Sequence, residues 1–139
     1  MKEQRVNLTQ IETVAINFMS KLQPGDVVYM QGDLGAGKTT FVRAAIQSIL
    51  GSDEPVPSPT FTLVQTYDTL NGPIYHYDLY RLVDPEEVLE LGMNEAFHKG
   101  ITFIEWPQRM GNLHDPNHYI VSLEAAKNSG ERLLKIICP

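Results

Sequence analysis

The sequence predicts one α/β domain, a mixed β-sheet flanked by helices, and three observations carry that expectation. The chain has 139 residues, within the ~100–200 of a single domain and long enough for one substantial core. Apolar residues make up 42% and charged residues 20%, the balance of a folded chain rather than a disordered one. Helix-like and strand-like periods alternate in the first half and strand-like runs cluster in the second, which is the pattern of a sheet with mixed strand directions. One domain over residues 1–139 is expected, without internal repeats or linkers.

The first helix is expected over residues 9–22, because Ile11, Val14, Ala15, Phe18 and Leu22 fall on one face at the helical period. Thr9 and Glu12 fit a capping box, in which two side chains satisfy orphan backbone donors. Pro24 and Gly25 close that helix. Residues 27–31, Val-Val-Tyr-Met-Gln, read as a short buried strand. A glycine-rich loop follows, then a helix over residues 38–50 with Gly51 as its stop. Pro55, Pro57 and Pro59 keep residues 52–60 free of helix. Strands are expected over 61–67 and 74–79, joined through Asn71, Gly72 and Pro73. Asp84 caps the next helix, with Pro85 in its first turn and Glu87 three residues after the cap. Gly92 interrupts that helix, and residues 101–105 form an apolar strand ending in an acid. The last strands are expected over 118–124 and 132–138, with a turn at 127–130.

Composition excludes several function classes. No apolar run approaches the ~18 residues of a membrane span, so no membrane partner is expected. The first ten residues lack the apolar core of a signal peptide, so secretion is not expected. Cys138 is the only cysteine, which excludes an internal disulfide and a cysteine-cluster zinc site and points to a reducing, cytoplasmic setting. His114 and His118 are separated by Pro116, and His76 and His98 show no partner in sequence, so no histidine metal cluster is expected. Eleven basic against 17 acidic residues give a net charge of −6. That balance is poor for autonomous nucleic-acid binding; no DNA partner is expected, and any nucleic acid would be held mainly by another protein.

Residues 32–39 read Gly-Asp-Leu-Gly-Ala-Gly-Lys-Thr, the G-x-x-x-x-G-K-[ST] pattern of a phosphate-binding P-loop. The context fits, since the segment follows an expected strand and opens an expected helix. Gly32, Gly35 and Gly37 let the backbone approach phosphate closely, and the exposed N–H groups and helix dipole face the anion. Lys38 is expected to reach the β- and γ-phosphates and the Thr39 hydroxyl to ligate magnesium. The expected fold class is therefore P-loop NTPase-like. Such a site needs an acid at the end of a neighbouring strand, and the sequence offers Glu105 and Asp78 without separating their roles.

Further segments carry a family resemblance. Gly-Asp-Leu-Gly-Ala-Gly-Lys-Thr-Thr at 32–40, Ser-Pro-Thr-Phe-Thr-Leu-Val at 58–64 and His-Tyr-Asp-Leu-Tyr-Arg-Leu at 76–82 are similar to segments of the bacterial TsaE (YjeE) ATPases. Leu-Gly-Met-Asn-Glu at 91–95 and Phe-Ile-Glu-Trp-Pro at 103–107 continue the match in order, while the last thirty residues add nothing to it. The resemblance implies a small ATPase required for threonylcarbamoyladenosine in tRNAs that read codons beginning with A. It implies Mg2+ as cofactor, ATP as substrate, and TsaD and TsaB as partners through which tRNA is engaged. It further implies ATP binding by Gly35, Ala36, Gly37, Lys38, Thr39 and Thr40, and magnesium at Thr39 and Glu105. Lys38 and Asp78 are the implied catalytic pair, Asp78 orienting or deprotonating the attacking water or, alternatively, supporting the magnesium from behind its ligands. Ser58 and Thr60 would form a switch-like loop over the γ-phosphate, stiffened by Pro59. Thr13, and with less support Thr9, would meet the adenine side. Trp106 would lie near the nucleotide, and Arg81 would meet phosphate or a partner. Slow turnover is expected of the chain alone, since no arginine finger is evident. A nucleotide-dependent binding module and a small-molecule kinase are the competing readings, the latter disfavoured by the lack of an arginine-rich insertion.

Overall fold

The structure is a computed structural model and describes residues 2–51, 53–111, 117–127 and 130–139. In chain order its elements are β1 (Lys2–Val6), α1 (Leu8–Met19), β2 (Val27–Gln31), α2 (Lys38–Leu50), β3 (Val64–Thr69) and β4 (Gly72–Asp78). They continue with α3 (Glu87–Glu90), α4 (Met93–Lys99), β5 (Ile101–Glu105), a 3-10 turn (Pro107–Met110), β6 (Tyr119–Ala125) and β7 (Arg132–Ile137). Among the described residues, seven strands form one sheet in the order β1-β7-β6-β2-β5-β4-β3. The pairs β6–β2, β2–β5 and β5–β4 are parallel; β1–β7, β7–β6 and β4–β3 are antiparallel. The expected mixed sheet is thus observed, with a parallel centre and antiparallel margins. No helix of the described residues is long and apolar enough to cross a membrane.

Alternation along the central strands builds two cores. Val28 and Met30 of β2 and Phe103 of β5 pack beneath α1 and α2 with Phe18, Phe41 and Ile46. Val27, Tyr29 and Ile104 point the other way and pack with Tyr77, Val88, Met93 and Met110. Strand β5 is buried along its whole length, as a strand covered on both faces must be. A parallel centre with covered faces leaves the carboxyl ends of its strands as the natural place for a ligand.

Several expected boundaries shift. Strand β1 was not expected, and it pairs with β7 from Lys2↔Ile136 to Val6↔Arg132. Helix α1 starts earlier than expected because Asn7, not Thr9, is its cap: the Asn7 side chain accepts from Gln10 N–H at 2.9 Å, and the Gln10 side chain accepts from Asn7 N–H at 2.8 Å. The helix ends at Met19, and Leu22 reaches the core from a turn closed by its N–H on the Met19 carbonyl at 3.1 Å. Strand β3 starts at Val64 rather than 61 because Leu63 turns left-handed, φ 68°, and donates its N–H to the Pro59 carbonyl at 2.6 Å. Gly92, at φ 75°, separates α3 from α4 where an interruption was expected. The helix expected from Asp84 is a single short turn over Glu87–Glu90 with Glu86, not Asp84, at its cap; Asp84 sits in the turn before it, its N–H donating to the Glu87 carboxylate at 3.1 Å and its carboxylate accepting from Glu86 N–H at 3.0 Å. The expected turn at 127–130 lies partly outside the described residues, and His114 and Pro116 lie wholly outside them.

Candidate active site at the ends of β2, β4 and β5

The glycine-rich loop leaves β2 and enters α2 across the carboxyl end of the sheet. Two of its glycines are required by geometry. At Gly32, φ 147°, an added Cβ would stand 2.4 Å from the Leu123 carbonyl oxygen. At Gly37 the backbone turns left-handed, φ 106°, and starts α2 without a side-chain cap. The first N–H groups of α2 therefore face the loop with no side chain to satisfy them, which is the arrangement that binds anions.

Lys38 is buried and donates to the Gly32 carbonyl at 2.6 Å. Its ammonium also lies 3.6 Å from the centroid of the Trp106 ring, within cation–π range. Desolvation pushes the Lys38 pKa below its ordinary value, and Glu105, Asp78 and Asp33 pull against that shift. Trp106 follows the end of β5 in a left-handed conformation, φ 60° and ψ 51°. Among the described residues, Leu63 and Trp106 are the non-glycines with positive φ. Both border this site, and each conformation costs on the order of 1–3 kcal/mol.

The two acids sit side by side, since Asp78 of β4 and Glu105 of β5 are direct register partners. Their contacts nevertheless differ. Glu105 is buried, and the Thr39 hydroxyl, at the start of α2, lies 2.9 and 3.0 Å from its two oxygens. Asp78 accepts from the Thr60 hydroxyl at 3.0 Å with one oxygen and from Tyr80 N–H at 3.0 Å with the other. Ser58 and Thr60 hydroxyls are 2.7 Å apart. Leu63 holds the same loop to β4 by accepting the Asp78 N–H at 3.0 Å.

These groups surround a cleft of about 250 Å³. Gly35, Gly37, Lys38, Thr39, Thr40, Ser58, Thr60, Asp78, Glu105 and Trp106 line it. Ala36 lies outside that cleft, in a neighbouring one of about 650 Å³ that shares Leu34 and Gly35 with the first. The structure does not bring Thr13 to either. Thr13 donates to the Thr9 carbonyl at 3.3 Å and lines a separate groove with Val6, Tyr119 and Ile136. Arg81 stacks on Phe61, 4.3 Å from its ring centroid, rather than lining the phosphate cleft.

Two residues here were not assigned from sequence. His76 is fully buried on β4 with Nε2 2.6 Å from Glu105 Oε2. Its place two residues before Asp78 on a strand was the available signal, because such residues share a face. Arg132, at the start of β7, donates to the Ala36 and Gly35 carbonyls at 3.2 and 3.3 Å. No local sequence pattern connects it to the loop.

Comparison with known proteins adds an independent line. The family model described as "Threonylcarbamoyl adenosine biosynthesis protein TsaE" matches residues 6–134. A protein of Rickettsia conorii named "tRNA threonylcarbamoyladenosine biosynthesis protein TsaE" is 48% identical over 116 residues, covering 84% of this chain and 66% of that protein. Proteins of the same name from Rickettsia felis and Bacillus subtilis are 44% and 40% identical, over 94% and 76% of this chain and 76% and 66% of theirs. The crystal structure of YdiB from Bacillus subtilis superposes with a TM-score of 0.80 at 28% identity, over 99% of this chain and 84% of that one.

Proposed function

The chain belongs to the TsaE family, and from that premise we propose that it binds and slowly hydrolyses Mg-ATP in the biosynthesis of threonylcarbamoyladenosine in tRNA. The observation that carries this reading is the contact of Thr39 with Glu105, at 2.9 and 3.0 Å, at the mouth of the P-loop helix. A hydroxyl and a carboxylate are hard oxygen donors, and that set fits Mg2+ rather than a soft metal. Thr39 and Glu105 would hold the ion; when bound, it supplies positive charge to the β- and γ-phosphate oxygens.

The chain's own residues do the rest. The open N–H groups at the start of α2 receive the phosphates. Lys38 exchanges the Gly32 carbonyl for a phosphate oxygen, and its charge offsets that of the β- and γ-phosphates. Asp78 faces the cleft through Thr60. We assign it to orient the attacking water and accept its proton while the water oxygen bonds to the γ-phosphorus and the bond to the bridging oxygen breaks. Ser58 and Thr60 are the hydroxyls of a loop that reads the γ-phosphate. The nucleoside end lies in the adjoining cleft beside Arg132, because the two clefts share Leu34 and Gly35.

Among the described residues lining the phosphate cleft none is arginine, which supports slow turnover in isolation and completion of the site by a partner. We assign TsaD and TsaB as those partners, with tRNA held through them; the net charge of −6 supports that division. A second reading has one observation in its favour. Phe61, 80% exposed beneath Arg81, adjoins Thr60 and gives the loop an apolar, cationic tip suited to docking. In that reading nucleotide binding alone controls partner assembly.

Magnesium-dependent ATP hydrolysis, with and without a purified TsaB–TsaD pair, tests the proposal. Turnover of the chain alone should stay well below ~10 s⁻¹, a typical enzyme value. It should rise with the pair and vanish in Lys38→Ala. Flat activity that ignores the pair would remove partner activation and favour the docking reading.

A further inference from the structure

Among the described residues the His76 side chain makes one hydrogen bond, and that bond falls on the residue assigned to the metal. The ring is fully buried on the face of β4 that carries Ile74, and Nε2 stands 2.6 Å from Glu105 Oε2. Nδ1 is buried without a hydrogen-bond partner among the described residues. An ionised carboxylate only accepts, so Nε2 must carry the proton and donate.

Without that bond Glu105 would be poorly fixed. The terminal torsion of a glutamate is broad and roughly two-fold, and the single Thr39 proton is shared between both oxygens. Neither feature selects a carboxylate plane. The His76 ring, clamped inside the sheet, does distinguish the two oxygens, because Nε2 meets Oε2 while the Thr39 hydroxyl lies equally near both.

We propose that His76 is a positioning residue that sets the metal affinity of the nucleotide site by locking the Glu105 carboxylate. The inference rests on the assignment of Thr39 and Glu105 as metal-holding residues. Loss of such an outer hydrogen bond characteristically weakens metal binding about 10–100-fold.

The test compares His76→Leu, which fills the space without a donor, with His76→Gln, whose side-chain amide can donate from near the Nε2 position. Mn2+ binding in the presence of ADP is read by electron paramagnetic resonance on the full chain. ADP affinity in EDTA is read separately from the fluorescence of Trp106, the only tryptophan. His76→Leu should weaken Mn2+ binding by about 10–100-fold and leave ADP affinity in EDTA within about two-fold, whereas His76→Gln should recover most of the loss. Wild-type Mn2+ affinity in folded His76→Leu, or no recovery in folded His76→Gln, would overturn the proposal. Should His76→Leu not fold, His76→Asn replaces it, since its shorter amide cannot reach Glu105; equal Mn2+ affinity in the Asn and Gln variants would overturn it equally. Nucleotide-dependent Mn2+ binding absent from the wild-type chain would overturn the metal assignment itself, a result distinct from a failure of His76 alone.

Discussion

Desolvation is the largest influence on Lys38, exceeding the pull of Glu105, Asp78 and Asp33 on its charge. Its proton is therefore released at lower pH in the folded chain than in the unfolded one. Below both pKa values the charged ammonium disfavours the fold. That penalty fades as pH rises through the folded-state value and is gone above the ordinary value of 10.5. Lys38→Met keeps the length of the stem and removes the charge. It should abolish ATP hydrolysis and raise the thermal midpoint, with the gain shrinking as the pH rises towards 10.5. A lower midpoint in the variant would mean that the Trp106 ring and the Gly32 carbonyl outweigh the buried charge.

At the scale of elements, what was legible in the sequence follows from how local its signal is. The helix over 38–50 and the strand over 101–105 match the observed bounds of α2 and β5, because a glycine stop and a largely apolar run ending in an acid are local signals. Strand β1 carries no such signal: Lys-Glu-Gln-Arg-Val has one buried apolar residue, Val6. It exists because β7 offers an edge, and its charges suit an edge strand. The bond between His76 and Glu105 spans 29 residues and that between Arg132 and Ala36 spans 96, so both depend on strand order and register, which no window of sequence contains. At the start of α1 the capping logic was right in kind and displaced in position, since Asn7 and Gln10 supply the same reciprocal bonds expected of Thr9 and Glu12. Asn7→Ala should therefore cost about 1 kcal/mol in urea unfolding, while Thr9→Ala should cost less than half of that. A larger loss at Thr9 would return the cap to the position expected from sequence.

At the scale of the whole molecule, one sheet order explains why a single ligand would touch so much of the chain. β2 lies between β6 and β5, and β4 lies beyond β5, so the P-loop, both acids and Arg132 converge although they are far apart in sequence. A nucleotide seated there would clamp α2, the 58–60 loop, β4, β5 and the start of β7 together. Ligand that binds only the folded chain stabilises it by about 2.7 kcal/mol at 100 times its Kd, which for a chain of this size is a rise in midpoint of roughly 5–10 °C. A non-hydrolysable ATP analogue with Mg2+ should produce that rise, EDTA should reduce it, and Lys38→Ala should remove it. The same measurement decides where the adenine lies. Thr13 lines a groove of about 770 Å³ that shares no lining residue with the two clefts at the P-loop. Thr13→Ala should therefore leave the shift intact, and Arg132→Ala should diminish it. The reverse outcome would place the base against α1, as the family resemblance implied.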